Sequence, residues 1–243
     1  MIGDNVIAMW SGPRNISTAM MRSFGSRQDT FVSDEPLYGN FLFRTGIDHP
    51  MKDEVILSQE TSWNSLTSYL TGGVPGGYAV WYQKHMTHHY PDNYSMEWIS
   101  LFKNCFLIRD PASVIVSYLK IFDIENADLL GFRKQKEIFD YVYRLSGVIP
   151  VVVDAHDIIK DPKKMIEKIC IRLGIPFLDT MLSWERGARE YDGVWTKFWY
   201  KNVNKTTGFT RTSNRVLDVP KKYIEIYNEC LEYYNYLYQY RIK

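Results

Sequence analysis

The chain lacks both an excess of charge and any long hydrophobic run. Its 29 basic and 28 acidic residues leave a formal net charge of +1, so electrostatics gives no reason to expect duplex nucleic acid or an anionic membrane as a partner. No stretch approaches the roughly 20 consecutive apolar residues that a membrane-spanning helix needs. Any anion-binding site must therefore be local.

Cysteine is also scarce. The three cysteines, Cys105, Cys170 and Cys230, form no Cys-x-x-Cys pair, and an odd number without a leader favours reduced thiols in a reducing compartment. Asp4 stands near the amino terminus, where a signal peptide would carry positive charge, and the apolar run that follows is only about five residues long. We therefore expect a cytoplasmic protein.

What the chain does have is a regular alternation of strand and helix patterns. With 243 residues, 45% of them hydrophobic, it can bury a substantial core, and we expect one domain over residues 1–243. Apolar stretches at helical spacing separate short buried runs, and this order predicts an α/β fold with a parallel sheet covered on both faces. The predicted strands are Val6–Trp10, Thr30–Ser33, Tyr78–Gln83, Cys105–Ile108 and Val148–Val153.

Several helix ends are marked by their residues. Asp110-Pro111 and Asp161-Pro162 each place a capping acid before a proline at the first helical position, and Gly174 ends the second of these helices. Residues 221–240 are predicted to form a surface helix rich in tyrosine. Between residues 183 and 215 the pattern becomes irregular, aromatic and punctuated by glycine.

The first predicted strand runs directly into a loop and then a helix, which is typical of an anion-binding site. This arrangement aims free backbone N–H groups and the positive end of the helix at one point. Glycine lets the backbone approach closely, arginine supplies forked donors, and hydroxyls donate to oxygen. The lysine and spacing of a Walker A motif are absent, which argues against an NTPase. The loop residues that we expect at an anion are Gly12, Pro13, Arg14, Asn15, Ser17 and Thr18.

This loop resembles the first conserved element of the P-loop sulfotransferases, which in that family binds the 5′ phosphosulfate end of the cofactor. Leu107-Ile108-Arg109-Asp110-Pro111, with Ser117 eight residues after the arginine, resembles the element whose Arg and Ser hold the cofactor's 3′-phosphate. A third stretch, from Val151 to Phe177, is similar to the family's strand, acidic turn and Asp-Pro helix that ends in Leu-Gly-Ile-Pro-Phe. The resemblance implies a three-layer P-loop-type fold with a central parallel sheet flanked by helices.

The same resemblance implies a cofactor and a catalytic base. The cofactor would be 3′-phosphoadenosine 5′-phosphosulfate (PAPS), the product 3′-phosphoadenosine 5′-phosphate (PAP), and no metal would be required. In some bacterial members a glutamate placed like Glu35 is the base. Other members carry Lys-x-His at the end of the third strand, and here Lys84 matches the lysine but Met86 stands in the position of the histidine.

Alternative bases and contacts remain open at this point. His85, His88 or His89 would take the histidine's role only after a local shift of the chain, while Lys84 would neutralise the leaving phosphate. The histidines lack a well-spaced acid or cysteine set, so we expect no metal site. Late in the chain, the resemblance places Phe209 on the adenine and Arg211 at the 3′-phosphate, although the family's Arg-Lys-Gly triplet is missing. The aromatic segment 184–200 is either an acceptor wall or core.

The main hypothesis is thus a sulfotransferase that moves a sulfuryl group from PAPS to a hydroxyl or amine of a small-molecule acceptor. Two alternatives remain. A small-molecule phosphotransferase with a degenerate phosphate loop would bind ATP with magnesium and would not distinguish a 3′-phosphorylated adenosine from AMP. A non-catalytic nucleotide-binding protein would keep the loop but lack a base, so a Glu35 remote from the loop would favour it. Neither the acceptor nor the oligomeric state follows from the sequence.

Overall fold

A five-stranded parallel sheet lies at the centre of the computed structural model, which describes residues 5–210 and 217–243. Its strands are β1 (Val6–Ser11), β2 (Thr30–Asp34), β3 (Val80–Met86), β4 (Lys103–Ile108) and β5 (Val151–Asp154). The strand order is β2-β3-β1-β4-β5, and every neighbouring pair is parallel. The five predicted strands are confirmed, but β3 ends at Met86 rather than at Gln83, and β5 begins at Val151 rather than at Val148.

Helices connect the strands and cover both faces of the sheet. They are α1 (Ser17–Gly25), α2 (Tyr38–Thr45), α3 (Lys52–Ser58), α4 (Trp63–Leu70), α5 (Pro111–Tyr118), α6 (Phe132–Ser146), α7 (Ala155–Lys160), α8 (Pro162–Leu173), α9 (Thr196–Trp199) and α10 (Ile224–Tyr238). None of the described helices has the length and apolar character needed to cross a bilayer.

The predicted helix ends are confirmed by hydrogen bonds and backbone angles. The side chain of Asp110 accepts a hydrogen bond from the backbone N–H of Ser113 at 2.8 Å, and that of Asp161 accepts one from Lys164 at 3.3 Å. Gly174 ends α8 with a φ of 64°, a left-handed conformation that glycine adopts without steric cost. These local signals fix the residues at which α5 and α8 begin, and they therefore position both helices relative to the ends of β4 and β5.

The central strand shows why the fold has three layers. Alternate side chains of β1 point to opposite faces, so Ile7 and Met9 belong to one buried cluster and Ala8 and Trp10 to the other. The first cluster is completed by residues of α1, α2, α7 and α8, and the second by residues of α4, α6 and α10. Helices therefore bury both faces of the sheet, as the sequence predicted.

The strand order also determines where a ligand can bind. All five strands end at the same edge of the sheet, and β1 is flanked by β3 on one side and β4 on the other. The chain reverses its direction of winding at this point, and open α/β sheets bind ligands in the crevice that such a reversal leaves. The loops after β1, β2, β3 and β4 therefore meet around one crevice.

A buried ion pair ties the irregular segment after α8 to helix α1. The guanidinium of Arg22 donates two hydrogen bonds to the Asp192 carboxylate, at 2.5 and 2.7 Å, and a third to Asn204 at 3.1 Å. The side chains of Arg22 and Asp192 are only 1% and 3% exposed. Because the pair is bidentate and screened from water, it fixes the position of residues 183–210 over the crevice.

We expect Asp192→Ala to lower the free energy of unfolding by about 3–5 kcal/mol, because it leaves the Arg22 guanidinium buried without its counter-ion. Urea unfolding followed by tryptophan fluorescence measures the change. The matched control is the double variant Arg22→Met, Asp192→Leu, which removes both charges and should recover most of the loss. A loss below about 1 kcal/mol in Asp192→Ala would contradict the anchoring role of this pair.

Candidate active site

The loop after β1 forms one wall of a cavity of about 420 Å³, and residues 13–19 line it. Arg14 adopts a left-handed conformation with a φ of 55°, which turns the chain sharply before α1. The side chain of Asn15 holds the turn: its Nδ2 donates to the carbonyl of Leu107 at 2.9 Å, and its Oδ1 accepts from the N–H of Ile16 at 2.8 Å. The predicted loop residues Pro13, Arg14, Asn15, Ser17 and Thr18 are therefore all at the cavity.

Gly12 is the exception within the loop. It does not line the cavity. A Cβ atom at this position would lie 2.5 Å from the carbonyl oxygen of Leu130, closer than two such atoms can approach. Glycine is thus needed at position 12 because two backbone segments cross closely there, and the expected contact of Gly12 with a bound anion stays a prediction.

Two arginines and a serine from separate parts of the chain form a cationic cluster at the cavity. Arg14 Nε donates to Ser117 Oγ at 3.0 Å, and Arg109 Nη1 donates to the carbonyl of Arg14 at 2.6 Å. All three residues line the cavity. Within residues 5–210 and 217–243, neither guanidinium forms an ion pair with a carboxylate.

This cluster is suited to bind an anion. Burial lowers the pKa of both arginines, and the charge of Arg14 lowers that of Arg109 further. An arginine nevertheless stays protonated in a protein. The charges of Asp110 and Asp154 offset these effects on Arg109 only in part. The two arginines therefore repel each other, and a bound phosphate would relieve that repulsion through charge-assisted hydrogen bonds.

A second charged cluster lies where β2 and β3 end. The Lys84 ammonium donates to Asp34 Oδ1 at 3.0 Å and to Glu35 Oε1 at 2.6 Å. The side chains of Lys84 and Asp34 are each 1% exposed, and that of Glu35 is 12% exposed. Lys84 and Glu35 line the cavity. The strand register explains this geometry, because Asp34 on β2 pairs directly with Lys84 on β3.

The late aromatic segment completes this cluster. The hydroxyl of Tyr200 donates to the Asp34 carboxylate at 2.8 Å, accepts from Lys84, and accepts from Trp195 Nε1 at 3.3 Å. Trp195 belongs to the core, Trp199 lines the cavity, and Tyr200 does both. The segment is thus partly core and partly cavity wall. The sequence analysis missed the contributions of Asp34 and Tyr200.

The charges of this cluster do not balance, since one ammonium faces two carboxylates. Burial raises the pKa of Glu35, the Lys84 charge opposes that rise, and the Asp34 charge adds to it, with a raised pKa as the result. For Lys84, burial alone would lower the pKa, but the two carboxylates outweigh it and hold the pKa above its usual value. Lys84 is therefore charged at neutral pH, and Glu35 accepts a proton more readily than a glutamate in water.

The backbone of Glu35 is held in an unusual conformation. Its φ is 43°, a left-handed value that is uncommon for a residue other than glycine. The N–H of Glu35 donates to the carbonyl of Lys84 at 2.9 Å, and its carbonyl accepts from Gln59 Nε2 at 3.2 Å. Gln59 is itself fixed by a hydrogen bond from the N–H of Gly39 at 2.6 Å. These contacts keep the carboxylate at the cavity in a conformation that the free chain would avoid.

The structure separates His85 from the other predicted site residues. Successive side chains of a strand point to opposite faces, so Lys84 and Met86 line the cavity and His85 does not. The His85 ring stacks on Trp10 with ring centroids 4.4 Å apart, and its Nε2 lies 3.0 Å from Gln83 Oε1. We therefore correct the expected catalytic role of His85: the sheet itself lies between this ring and the cavity.

The remaining predicted positions lie late in the chain. Phe209 lines the cavity and contacts Trp184 edge to face, with centroids 5.2 Å apart. The predicted contact of Arg211 lies outside the described residues. Over the described ranges, no group of three or more His, Cys, Asp or Glu side chains is arranged to hold a metal ion.

The fold and the cavity together define an α/β protein with separate cationic and carboxylate–lysine clusters at one switch point. The family model described as "Sulfotransferase domain" matches residues 5–239, and the chain belongs to this family. Membership of the family supports sulfuryl transfer as the general reaction.

Two relatives from Arabidopsis thaliana are similar to this chain over nearly its whole length. Branched-chain-amino-acid aminotransferase-like protein 2 is 34% identical over 232 residues, or 96% of this chain and 41% of that protein. Branched-chain-amino-acid aminotransferase-like protein 1 is 34% identical over 237 residues, or 98% of this chain and 42% of that protein. The chain spans about two-fifths of the length of these relatives, and their names describe the longer proteins.

Solved structures show the same fold at low sequence identity. The sulfotransferase domain of the curacin biosynthetic pathway is 14% identical, has a TM-score of 0.50, and the match covers 93% of this chain and 96% of that domain. A sulfotransferase from Alicyclobacillus acidocaldarius is 13% identical with a TM-score of 0.50, over 74% of this chain and 85% of that protein. The three-layer P-loop-type fold is thereby confirmed.

We expect Lys84→Met to destabilise the protein by about 3–5 kcal/mol at pH 7, because Asp34 and Glu35 are then buried together without a cation. In this variant Glu35, whose pKa burial already raises, loses the Lys84 charge that opposes that rise. Stability is therefore greatest below the unfolded pKa of about 4 and falls as pH rises through the folded pKa. Urea unfolding from pH 4 to 8 should show the deficit growing with pH.

The matched control for this experiment is Lys84→Met combined with Asp34→Asn. This double variant removes one carboxylate and should recover part of the stability at pH 7. A deficit in Lys84→Met that does not change between pH 4 and 8 would show that lost packing, and not charge, accounts for it.

Proposed function

We propose that the protein transfers a sulfuryl group from PAPS to a hydroxyl or amine of a small-molecule acceptor. The observation that carries this proposal is that one cavity is lined both by the cationic cluster of Arg14, Arg109 and Ser117 and by the Glu35–Lys84 pair. The cofactor has two separate anionic ends, and the acceptor needs a base. The cavity supplies candidate partners for each.

The cationic cluster fits the 3′-phosphate. Arg109 and Ser117 would hold it as the family resemblance implies. The resemblance assigns Arg14 to the 5′ phosphosulfate end, but Arg14 Nε is bonded to Ser117 Oγ, and we therefore propose that it adds a second guanidinium at the 3′-phosphate. Ser17 and Thr18 at the start of α1 would receive the 5′ phosphosulfate, since both line the cavity where the helix exposes free N–H groups. Phe209 would stack on the adenine, and a cavity of about 420 Å³ is within the usual range for small-molecule sites.

The transfer step needs a base for the acceptor and a positive group at the leaving oxygen. In an in-line displacement, the acceptor oxygen would bond to sulfur while the bond from sulfur to the phosphate oxygen breaks, and the acceptor's proton would pass to Glu35. The leaving PAP would carry the extra negative charge, and Lys84 would stabilise it. Burial and Asp34 both raise the pKa of Glu35, which suits a carboxylate that must take up a proton near neutral pH.

The position of Glu35 also bears on the non-catalytic alternative. That alternative would gain support if Glu35 were remote from the phosphate loop. Instead, Glu35 and the loop residues Arg14 and Ser17 line the same cavity, so the chain retains a candidate base beside its candidate anion sites.

Calorimetric titration with PAP tests the cofactor. We expect PAP to bind at least tenfold more tightly than AMP, without magnesium, and Arg109→Ala to lose about 10–100-fold of PAP affinity, as for a hydrogen bond to a charged group. Arg172→Ala is a matched control, because that arginine is exposed and, among the described residues, donates only to a backbone carbonyl. Equal binding of PAP and AMP, or tighter binding of magnesium-ATP, would refute the proposal and favour a phosphotransferase.

The proposed base makes a second prediction. Glu35→Gln should lower kcat by about 10²–10⁴-fold and leave PAP affinity unchanged, because the amide cannot take the proton. Activity requires the ionised carboxylate, so wild-type kcat/KM should fall as pH falls through the Glu35 pKa, which is raised above 4.5. Transfer from radiolabelled PAPS to a panel of small phenols, alcohols and amines measures both effects. A Gln variant with the wild-type rate and the same acid limb would exclude Glu35 as the base.

A further inference from the structure

The two carboxylates beside Lys84 differ in the hydrogen bonds that they accept. Asp34 Oδ1 accepts from the Lys84 ammonium at 3.0 Å, and Asp34 Oδ2 accepts from the backbone N–H of Gly193 at 3.2 Å. The Tyr200 hydroxyl lies 2.8 Å from each of these two oxygens. Glu35 accepts from Lys84 through Oε1 at 2.6 Å, and among the described residues no donor is bonded to its Oε2. Both oxygens of Asp34 are thus occupied by fixed donors, whereas one oxygen of Glu35 is not.

The two carboxylates also differ in access to the cavity. The side chain of Asp34 is 1% exposed, and Asp34 does not line the cavity. The side chain of Glu35 is 12% exposed, and Glu35 does line it. An acceptor bound in the cavity would therefore contact Glu35 and not Asp34.

The Tyr200 hydroxyl is what distinguishes the two carboxylates. A hydroxyl has one proton to donate and two lone pairs that accept. Its lone pairs are taken by the Lys84 ammonium and by Trp195 Nε1 at 3.3 Å. Its one proton is therefore donated to Asp34 at 2.8 Å, while Glu35 Oε1 lies farther away at 3.4 Å. Burial and then the charges of Asp34 and Glu35 raise the pKa of Tyr200, so the hydroxyl keeps this proton at neutral pH.

The segment that covers the cavity holds these donors in place. Gly193 directly follows Asp192, whose carboxylate forms the buried ion pair with Arg22. A Cβ atom at position 193 would lie 2.1 Å from the ring of Trp195, so only glycine lets that ring lie where it donates to Tyr200. The ion pair that anchors the segment therefore also positions the Gly193 N–H and the Tyr200 hydroxyl.

We propose that Tyr200 is a positioning residue whose hydroxyl holds Asp34 in the ion pair and leaves Glu35 Oε2 as the atom that takes the acceptor's proton. This inference rests on the proposed function, in which Glu35 is the base. The proton would pass from the acceptor's hydroxyl or amine to Glu35 Oε2, and Asp34 would remain the anion that balances Lys84. Without the Tyr200 hydroxyl, the two carboxylates would compete both for the ammonium and for the proton.

Two further titratable groups face Glu35. His89 Nδ1 lies 4.0 Å from Glu35 Oε2, and burial lowers the pKa of His89 well below its usual value. Burial raises the pKa of Tyr38, and the charge of Glu35 raises it further. Neither group changes its charge between about pH 5 and 8, so a titration of Glu35 in that range reports the carboxylate pair itself.

Carbon-13 NMR of the side-chain carboxyl groups tests this inference without an acceptor. Protein labelled at the carboxyl carbons of Asp and Glu, both free and saturated with PAP, is titrated from about pH 4 to 9. Asp34→Asn and Glu35→Gln identify the two resonances. In the wild type we expect Glu35 to take up a proton before Asp34 as the pH falls, with a midpoint above 4.5.

Tyr200→Phe keeps the ring and removes the hydroxyl. The Glu35 midpoint should rise by roughly one pH unit, a tenfold gain in proton affinity, because the carboxylate pair loses a donor to its ionised form. General loosening of the site would instead admit water and move the midpoint down toward that of a glutamate in water. Tyr236→Phe is the matched control, because the Tyr236 hydroxyl donates to Asp140 at 2.8 Å and neither residue lines the cavity. It should leave the Glu35 midpoint unchanged.

Asp34→Asn tests the same hydroxyl from its other side, and it serves if Tyr200→Phe does not fold. The amide removes the carboxylate that accepts the Tyr200 proton, so that this proton can turn to Glu35, and it also removes a negative charge that raises the Glu35 pKa. The Glu35 midpoint should therefore fall by roughly one pH unit or more, opposite to the shift in Tyr200→Phe.

The outcomes separate this inference from the proposed function. An Asp34 that takes up a proton before Glu35 in the wild type overturns the positioning role. A Glu35 midpoint that falls or stays within about 0.3 pH unit in Tyr200→Phe, or that does not fall in Asp34→Asn, also overturns it. These results leave PAP binding untouched. Wild-type protein that does not bind PAP overturns the proposed function itself.

Discussion

The site depends on one buried ammonium held between two carboxylates. Lys84 is bonded to Asp34 on the neighbouring strand and to Glu35 just beyond it, and all three side chains are largely screened from water. A buried ion pair of this kind is stable only if each charge is paired and each paired side chain is fixed by further hydrogen bonds. Tyr200 lies 116 residues after Lys84 in the chain, and its hydroxyl is hydrogen-bonded to both Lys84 and Asp34. The ion pair therefore links the sheet to the segment that covers it.

The strand order then separates this ion pair from the cationic cluster. β1 lies between β3, which carries Lys84, and β4, which leads into Arg109. Negative and positive groups thus line the same cavity from opposite sides of the central strand without neutralising each other. Had the two clusters been adjacent, the free arginines would have paired with the spare carboxylate, and neither an anion site nor a proton acceptor would remain.

The sequence predicts the structural features that depend on neighbouring residues. It does not predict contacts between residues that lie far apart in the chain. The caps at Asp110 and Asp161 and the apolar runs of the strands depend on residues within a few positions of each other, so the sequence was sufficient for them. Tyr200 gave no such signal, because its partner Asp34 lies 166 residues away. His85 was a candidate only through a local shift of the chain, and the third strand, predicted to end at Gln83, leaves no room for one. Its extension to Met86 makes side-chain alternation turn His85 away from Lys84.

The methionine in the place of the family's histidine changes the electrostatics that the site requires. Met86 lines the cavity, and its sulfur lies 3.8 Å from the Ser11 hydroxyl, so this position carries no group that titrates near neutral pH. A histidine base begins neutral and becomes a cation when it takes the proton, whereas Glu35 would begin as an anion and become neutral. On the proposed assignment, Asp34, Lys84 and Glu35 would pass from a net charge of −1 to zero as the proton arrives. Buried surroundings favour that change, since loss of a buried charge removes its desolvation cost.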